Sequence, residues 1–135
     1  YTLIRCQNVL PAPEIRAQMA LRKAAKVLHV RALYLADGAP FVYEDRWINP
    51  LAVPDIKSVD LTTESANEWL VVNAPFTDGD IAFSATAADA VAAKMLEIDP
   101  GTAVFTVERS TWNQDRSITL VRLTFAPGYR MHTTL

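Results

Sequence analysis

The chain has 135 residues, 50% hydrophobic and 21% charged, with 13 basic against 15 acidic side chains and a formal net charge of −2. That suffices for one soluble domain with its own core, while the absence of any basic run longer than Arg22-Lys23 excludes a chain that holds nucleic acid by itself. One cysteine, Cys6, excludes an internal disulfide and fits a reducing compartment, the cytoplasm. Cys6, His29 and His132 are too few and too scattered for a metal site, and no apolar run approaches the roughly 18 residues of a membrane span.

In chain order, Thr2 to Leu10 reads as a strand ending at Pro11. Pro13 then opens a short amphipathic helix, Pro13 to Leu21, with Ile15 and Met19 spaced i, i+4. Two long strands from Val27 to Asn49 flank Asp37-Gly38, a strong hairpin signal. Asn49-Pro50 and Pro54-Asp55 break the pattern into a loop or a single helical turn. Ser65 with Glu68 forms a capping box for the next helix, with Thr63 a competing cap and Trp69 and Leu70 on the apolar side. Asp80 to Ala85 reads as a strand. Thr86 is read as the cap of a helix striped by Ala88, Val91, Ala92, Met95 and Leu96, with Asp89 completing a second capping box. After Asp99-Pro100-Gly101, Ala103 to Trp112 and Ile118 to Phe125 make a second hairpin through residues 113 to 116. The order predicts an α+β domain, a mainly antiparallel sheet with helices packed on it and gathered on one face.

The second strand of the first hairpin is the unusual element. Tyr43-Glu44-Asp45-Arg46-Trp47 sets three charges between two aromatics, so whichever face is buried carries a charge that needs a partner or a ligand. A two-residue loop at Asp37-Gly38 would pair Arg31 with Glu44 and His29 with Arg46. A three-residue loop with a bulge at Gly38 would instead bring Tyr34 onto the face of Glu44 and Arg46. Glu44 and Arg46 could also simply pair with Arg31 or Arg109 across the sheet. No GxGxxG, Walker, GxSxG, HExxH or CxxC motif is present, so enzymatic readings lose their usual support.

ADGAPFVYEDRWINP at Ala36 to Pro50, ANEWL at Ala66 to Leu70, LEIDPG at Leu96 to Gly101, ERSTW at Glu108 to Trp112, and Tyr129-Arg130 together resemble the UTRA ligand-sensing domain of GntR-superfamily (HutC-type) transcriptional regulators. Among these the chain is most similar to histidine utilisation repressors, nearly end to end. The resemblance implies a chorismate lyase-like fold over residues 1 to 135, preceded in full-length members by a winged helix-turn-helix. That module, expected to lie N-terminal to this chain, would supply all contact with operator DNA. It also implies a homodimer, no membrane association, no cofactor and no catalysis. In relatives that bind sugar phosphates, arginines on the strand matching Leu28 to Leu35 hold the phosphate and a glutamate matching Glu44 holds the sugar. Here Ala32 and Tyr34 occupy the arginine positions, so the phosphate clamp is gone and the carboxylate stays. Ser84 departs from the acidic residue usual in histidine utilisation repressors, and the segment Pro127 to Arg130 is about two residues short.

The expected ligand-binding residues are Tyr34, Glu44, Arg46, Asn67, Arg122 and Tyr129. The expected effector is urocanate or a related imidazole acid, its ring N–H given to Glu44, its carboxylate held by Arg46 or Arg122, its flat body against Tyr34. Asn67, near a helix start, could also help receive a carboxylate. A lyase on the same scaffold, with Arg46 and Arg122 as carboxylate holders and Glu44 as acid or base, is the rival reading. A pure dimerisation module with an empty pocket is a third.

Overall fold

The apolar-rich extended runs pair into one sheet. In the computed structural model, which describes residues 1–135, the strands are β1 (Thr2–Val9), β2 (Val27–Ala36), β3 (Ala39–Ile48), β4 (Asp78–Ala87), β5 (Ala103–Asn113) and β6 (Arg116–Phe125). They lie in the order β1-β2-β3-β6-β5-β4, and every neighbouring pair is antiparallel. The two hairpins β2–β3 and β5–β6 therefore stand side by side, joined through β3 and β6, with β1 and β4 as edges.

The first hairpin turns through Asp37 and Gly38, whose φ values of 53° and 78° are both left-handed, as the tight two-residue turn between twisted strands requires. Ala36 pairs with Ala39 and Leu35 with Pro40, but Tyr34 pairs with Val42. Phe41 is thus the extra residue of a bulge. The loop is the two-residue kind, yet the bulge at Phe41, not at Gly38, produces the facing of the bulged alternative: Ala32 opposes Glu44 and Val30 opposes Arg46. The Phe41 carbonyl accepts the Ala126 N–H at 2.8 Å, and the Phe41 ring meets Phe125 and Tyr129 edge-on, which fixes the bulge from the C-terminal side.

The helices are α1 (Pro13–Gln18), a 3-10 turn (Pro54–Ser58), α2 (Ala66–Asn73) and α3 (Ala90–Leu96). They are not gathered on one face. Ile15 of α1 and Met19 just past its end pack on Val27, Trp47 and Leu120, and Ala92 and Leu96 of α3 pack on Tyr43. Ile56 of the 3-10 turn and Ala66 and Leu70 of α2 cover Val30 and Ile48 on the other side. The reason is that β3 and β6 are apolar on both faces, with Tyr43, Trp47, Ile48, Leu120 and Val121 all under 8% exposed, so each face demands its own cover. Burying side chains such as Ile15 and Met19, each 2% exposed, contributes on the order of 1.5–3 kcal/mol apiece.

The Ser65 hydroxyl accepts the Glu68 N–H at 3.1 Å and starts α2. The cap of α3 is Asp89, which accepts the Ala92 N–H at 2.8 Å, and not Thr86. Thr86 stays in β4, where its hydroxyl pairs with that of Thr106 at 2.9 Å, a cross-strand bond that competes with capping.

Candidate functional site

Alternation along β3 sends Glu44 and Arg46 to the face under α2, and Asp45 to the face under α1 and α3. Glu44 and Arg46 are each 1% exposed. They meet in a two-pronged pair, Arg46 Nε donating to Glu44 Oε2 at 3.1 Å and Nη2 to Oε1 at 3.2 Å. Arg46 Nη2 also donates to Asn67 Oδ1 at 3.3 Å, and Nη1 to Thr119 Oγ1 at 3.5 Å. The Tyr34 hydroxyl lies 3.5 Å from Glu44 Oε1. Ser65 takes over the capping of α2, which leaves the Asn67 side chain free to turn down onto the sheet.

A second arginine converges on the same acceptor. Arg109, on β5, donates from Nη2 to Asn67 Oδ1 at 2.7 Å and forms no ion pair with any carboxylate. Burial, and then the nearby positive charge of Arg46, lower its pKa from the usual arginine range, and the carboxylate of Glu44 offsets them only in part. The site holds two guanidiniums against one carboxylate. Tyr1 stacks obliquely on Tyr34, 5.4 Å between ring centres, and its hydroxyl donates to the Leu61 carbonyl at 2.8 Å. Burial and then the charge of Glu44 push the Tyr1 phenol up to about 12, and the same two causes raise that of Tyr34, so both remain hydrogen-bond donors at neutral pH.

Of the six expected residues, Tyr34, Glu44, Arg46 and Asn67 come together. Tyr129 reaches the same face at its end, stacked on Phe125 at 4.0 Å, in an aromatic cluster against which Tyr34 also packs. Arg122 does not belong. Its register partners are Asp45 on β3 and Glu108 on β5, so it points to the opposite face, where its Nε donates to Glu108 Oε2 at 2.6 Å and its guanidinium lies 5.5 Å from the centre of the Trp47 ring. Sequence reasoning treated Arg109 only as a structural partner of Glu44 or Arg46 and passed over Tyr1 and Thr119. The parity of β5 and β6 against β3 could have placed Arg109 and Thr119 on the Glu44 face, but only once the β3–β6 register was known.

Volume alone does not mark this site. A surface concavity of about 800 Å³ lies where loop ends meet beyond the sheet, and its charged lining residues, Arg22, Asp115 and Arg116, are all exposed. One of about 360 Å³ lies on the Asp45 face beside Thr86, Asp89, Glu108 and Arg122. Uncompensated charge and burial, not empty space, single out the Glu44 cluster.

A buried carboxylate–arginine pair thus lies beneath a helix on an antiparallel sheet covered on both faces, and the UTRA domain family model matches residues 1–132. The chain belongs to the UTRA domain family, the regulatory ligand-binding domains of GntR-superfamily transcriptional regulators. Among individual proteins it is similar to the histidine utilization repressor of Pseudomonas aeruginosa, 28% identical over 131 residues that cover 93% of this chain and 52% of that protein. The histidine utilization repressor of Pseudomonas putida is 29% identical over 110 residues, 82% of this chain and 44% of that one. The chain thus spans about half the length of the curated relatives it matches. Its fold is also that of the C-terminal domain of the histidine utilization repressor from Pseudomonas syringae, with a TM-score of 0.91 and 24% identity over 99% of this chain and 96% of that one. The C-terminal domain of Yurk from Bacillus subtilis gives 0.85 at 15% identity, covering 98% and 94%. These relatives are named as repressors and regulator domains, and the chain is a regulatory domain rather than an enzyme. No helix is long and apolar enough to cross a membrane.

Proposed function

We propose that this is the effector-binding and dimerising domain of a cytoplasmic repressor of histidine utilisation, sensing a small carboxylated ligand of the urocanate type. The observation that carries the reading is Arg109, a half-buried cation with no counter-ion beside the Glu44–Arg46 pair. A ligand carboxylate beside Arg109 supplies the missing negative charge, and a ring N–H donates to Glu44. The phenols of Tyr34 and Tyr1 flank a flat body. Arg109 thereby takes the carboxylate-holding role expected of Arg122. A sugar phosphate lacks its usual clamp because Ala32, fully buried opposite Glu44, offers no charge.

Operator DNA is contacted by a winged helix-turn-helix outside this chain. Ligand then acts only through differential affinity for two arrangements of the regulator, and a coupling of about 1–3 kcal/mol would change operator affinity roughly 5- to 150-fold. Calorimetric titration of this domain with urocanate, histidine and a sugar phosphate tests the assignment. Urocanate binds, and Arg109→Met weakens it roughly 10- to 100-fold, the loss of one hydrogen bond to a charged group. No heat from any imidazole acid, or unchanged affinity in Arg109→Met, rules this site out.

A further inference from the structure

Three strands set two cations in one row. Arg46 on β3 and Arg109 on β5 are both registered with Val121 of β6, which lies between them and is fully buried. Their backbones stand two strand spacings apart, about 10 Å, yet the two guanidiniums converge above Val121 on a single atom. That atom is Asn67 Oδ1, 2.7 Å from Arg109 Nη2 and 3.3 Å from Arg46 Nη2. Like charges draw together only around something negative. Arg46 has the Glu44 carboxylate as well, whereas Arg109 has this neutral amide oxygen and no ion pair. A guanidinium bonds a carboxylate roughly twice as strongly as such a neutral acceptor. The amide nitrogen, which only donates, is turned away from both arginines. Helix α2 does not need Asn67 in this place, because Ser65 caps it.

We propose that Asn67 Oδ1 holds the place of the ligand's carboxylate, and that the ligand binds by displacing it. Asn67 is then not a group that receives the ligand but the one that must be beaten for its seat. The inference rests on the sensor reading above and narrows the ligand class. Arg46 and Arg109 against Glu44 leave one positive charge, which a single carboxylate neutralises. A neutral amide or ester offers no more than Asn67 already supplies, and is turned away. Because Asn67 belongs to α2, an entering carboxylate also breaks the contacts that tie α2 to β3 and β5.

Calorimetry with urocanate on the 135-residue chain and two variants reads the displacement by its sign. Asn67→Ala removes the competitor and binds urocanate about 2- to 10-fold more tightly than wild type, since one internal hydrogen bond no longer has to be broken. Asn67→Asp has the same shape, supplies the negative charge from within, and binds it about 10-fold or more weakly. Equal or weaker binding by Asn67→Ala, which a residue that holds the ligand would give, overturns the proposal, and so does wild-type affinity in Asn67→Asp. A second measurement uses no effector. At neutral pH and equal ionic strength, replacing chloride by acetate raises the urea midpoint of Asn67→Ala more than that of wild type or Asn67→Asp; an equal rise in all three overturns the proposal. The two readings fail separately. If acetate favours Asn67→Ala in this way but no imidazole acid binds any form, the effector assignment alone falls; if urocanate binds wild type and Asn67→Ala weakens it, displacement alone falls.

Discussion

Strand β3 carries adjacent carboxylates on opposite faces, and the fold treats them differently. Glu44 is 1% exposed and held by Arg46, itself equally buried. Asp45 keeps a quarter of its side chain in solvent, accepts from His29 Nε2 at 2.5 Å and lies 3.8 Å from Arg31 Nε. His29 in turn stacks on Trp47, 5.0 Å between centres and 7° from parallel. The Asp45 face pairs its charges near water, where each pair is worth little and locks side chains in place. The Glu44 face buries a pair whose desolvation cost its own attraction barely offsets, and adds a third charge, Arg109, that forms no ion pair of its own. The excess of cation over anion on the Glu44 face is what the proposed ligand carboxylate would balance.

The contrast is broken most forcefully at Glu44. Glu44→Ala leaves Arg46 buried without a counter-charge and should cost about 3–5 kcal/mol in urea denaturation. Replacing both partners together, Glu44→Leu with Arg46→Met, should recover most of that loss while abolishing urocanate binding; a double variant as unstable as the single would show that the pair is itself a net stabiliser. Asp45→Asn, on the other face, should cost only about 0.2–1 kcal/mol, and the difference should shrink in high salt.

The smallest expected effect is at Glu108. Burial alone would raise its pKa, but hydrogen bonds from Arg122 and Gln18 outweigh it and hold the carboxyl below its ordinary 4.5. A depressed folded-state pKa contributes stability that is present above the unfolded value and lost as pH falls through the folded one. Wild type should therefore exceed Glu108→Gln by a few tenths of a kcal/mol at neutral pH. That margin should fade from about pH 4.5 downwards; one that grew on acidification would reverse the sign argued here.

Element identity was legible because it is local. The Asp37-Gly38 turn, the Ser65–Glu68 cap and the Ile15–Met19 spacing each depend on residues within a few positions of one another. What escaped the sequence depends on pairing between distant segments. Arg122 is one of three basic residues in its hairpin, and nothing local says that it faces Asp45 while Arg109 faces Glu44; that follows from β3 lying against β6, a contact about 77 residues apart for Asp45 and Arg122. Thr86 illustrates the same limit, since its rival partner Thr106 sits on another strand. Helices on both faces were missed because an apolar run on a central strand does not say how many layers will cover it.

The bulge at Phe41 gives the first hairpin something like a reading frame. The residues of β2 and β3 are compatible with two pairings, and one places Arg31 against Glu44 and His29 against Arg46, whereas the other places Ala32 and Val30 there. The single extra residue selects the second, and with it the β2 groups that face Glu44 and Arg46. The selection is enforced from far along the chain, by the Ala126 N–H on the Phe41 carbonyl and by Phe125 and Tyr129 against the Phe41 ring. A tail so placed makes the turn a point where a change of one residue in length would exchange the groups facing Glu44 and Arg46 with no substitution in either strand.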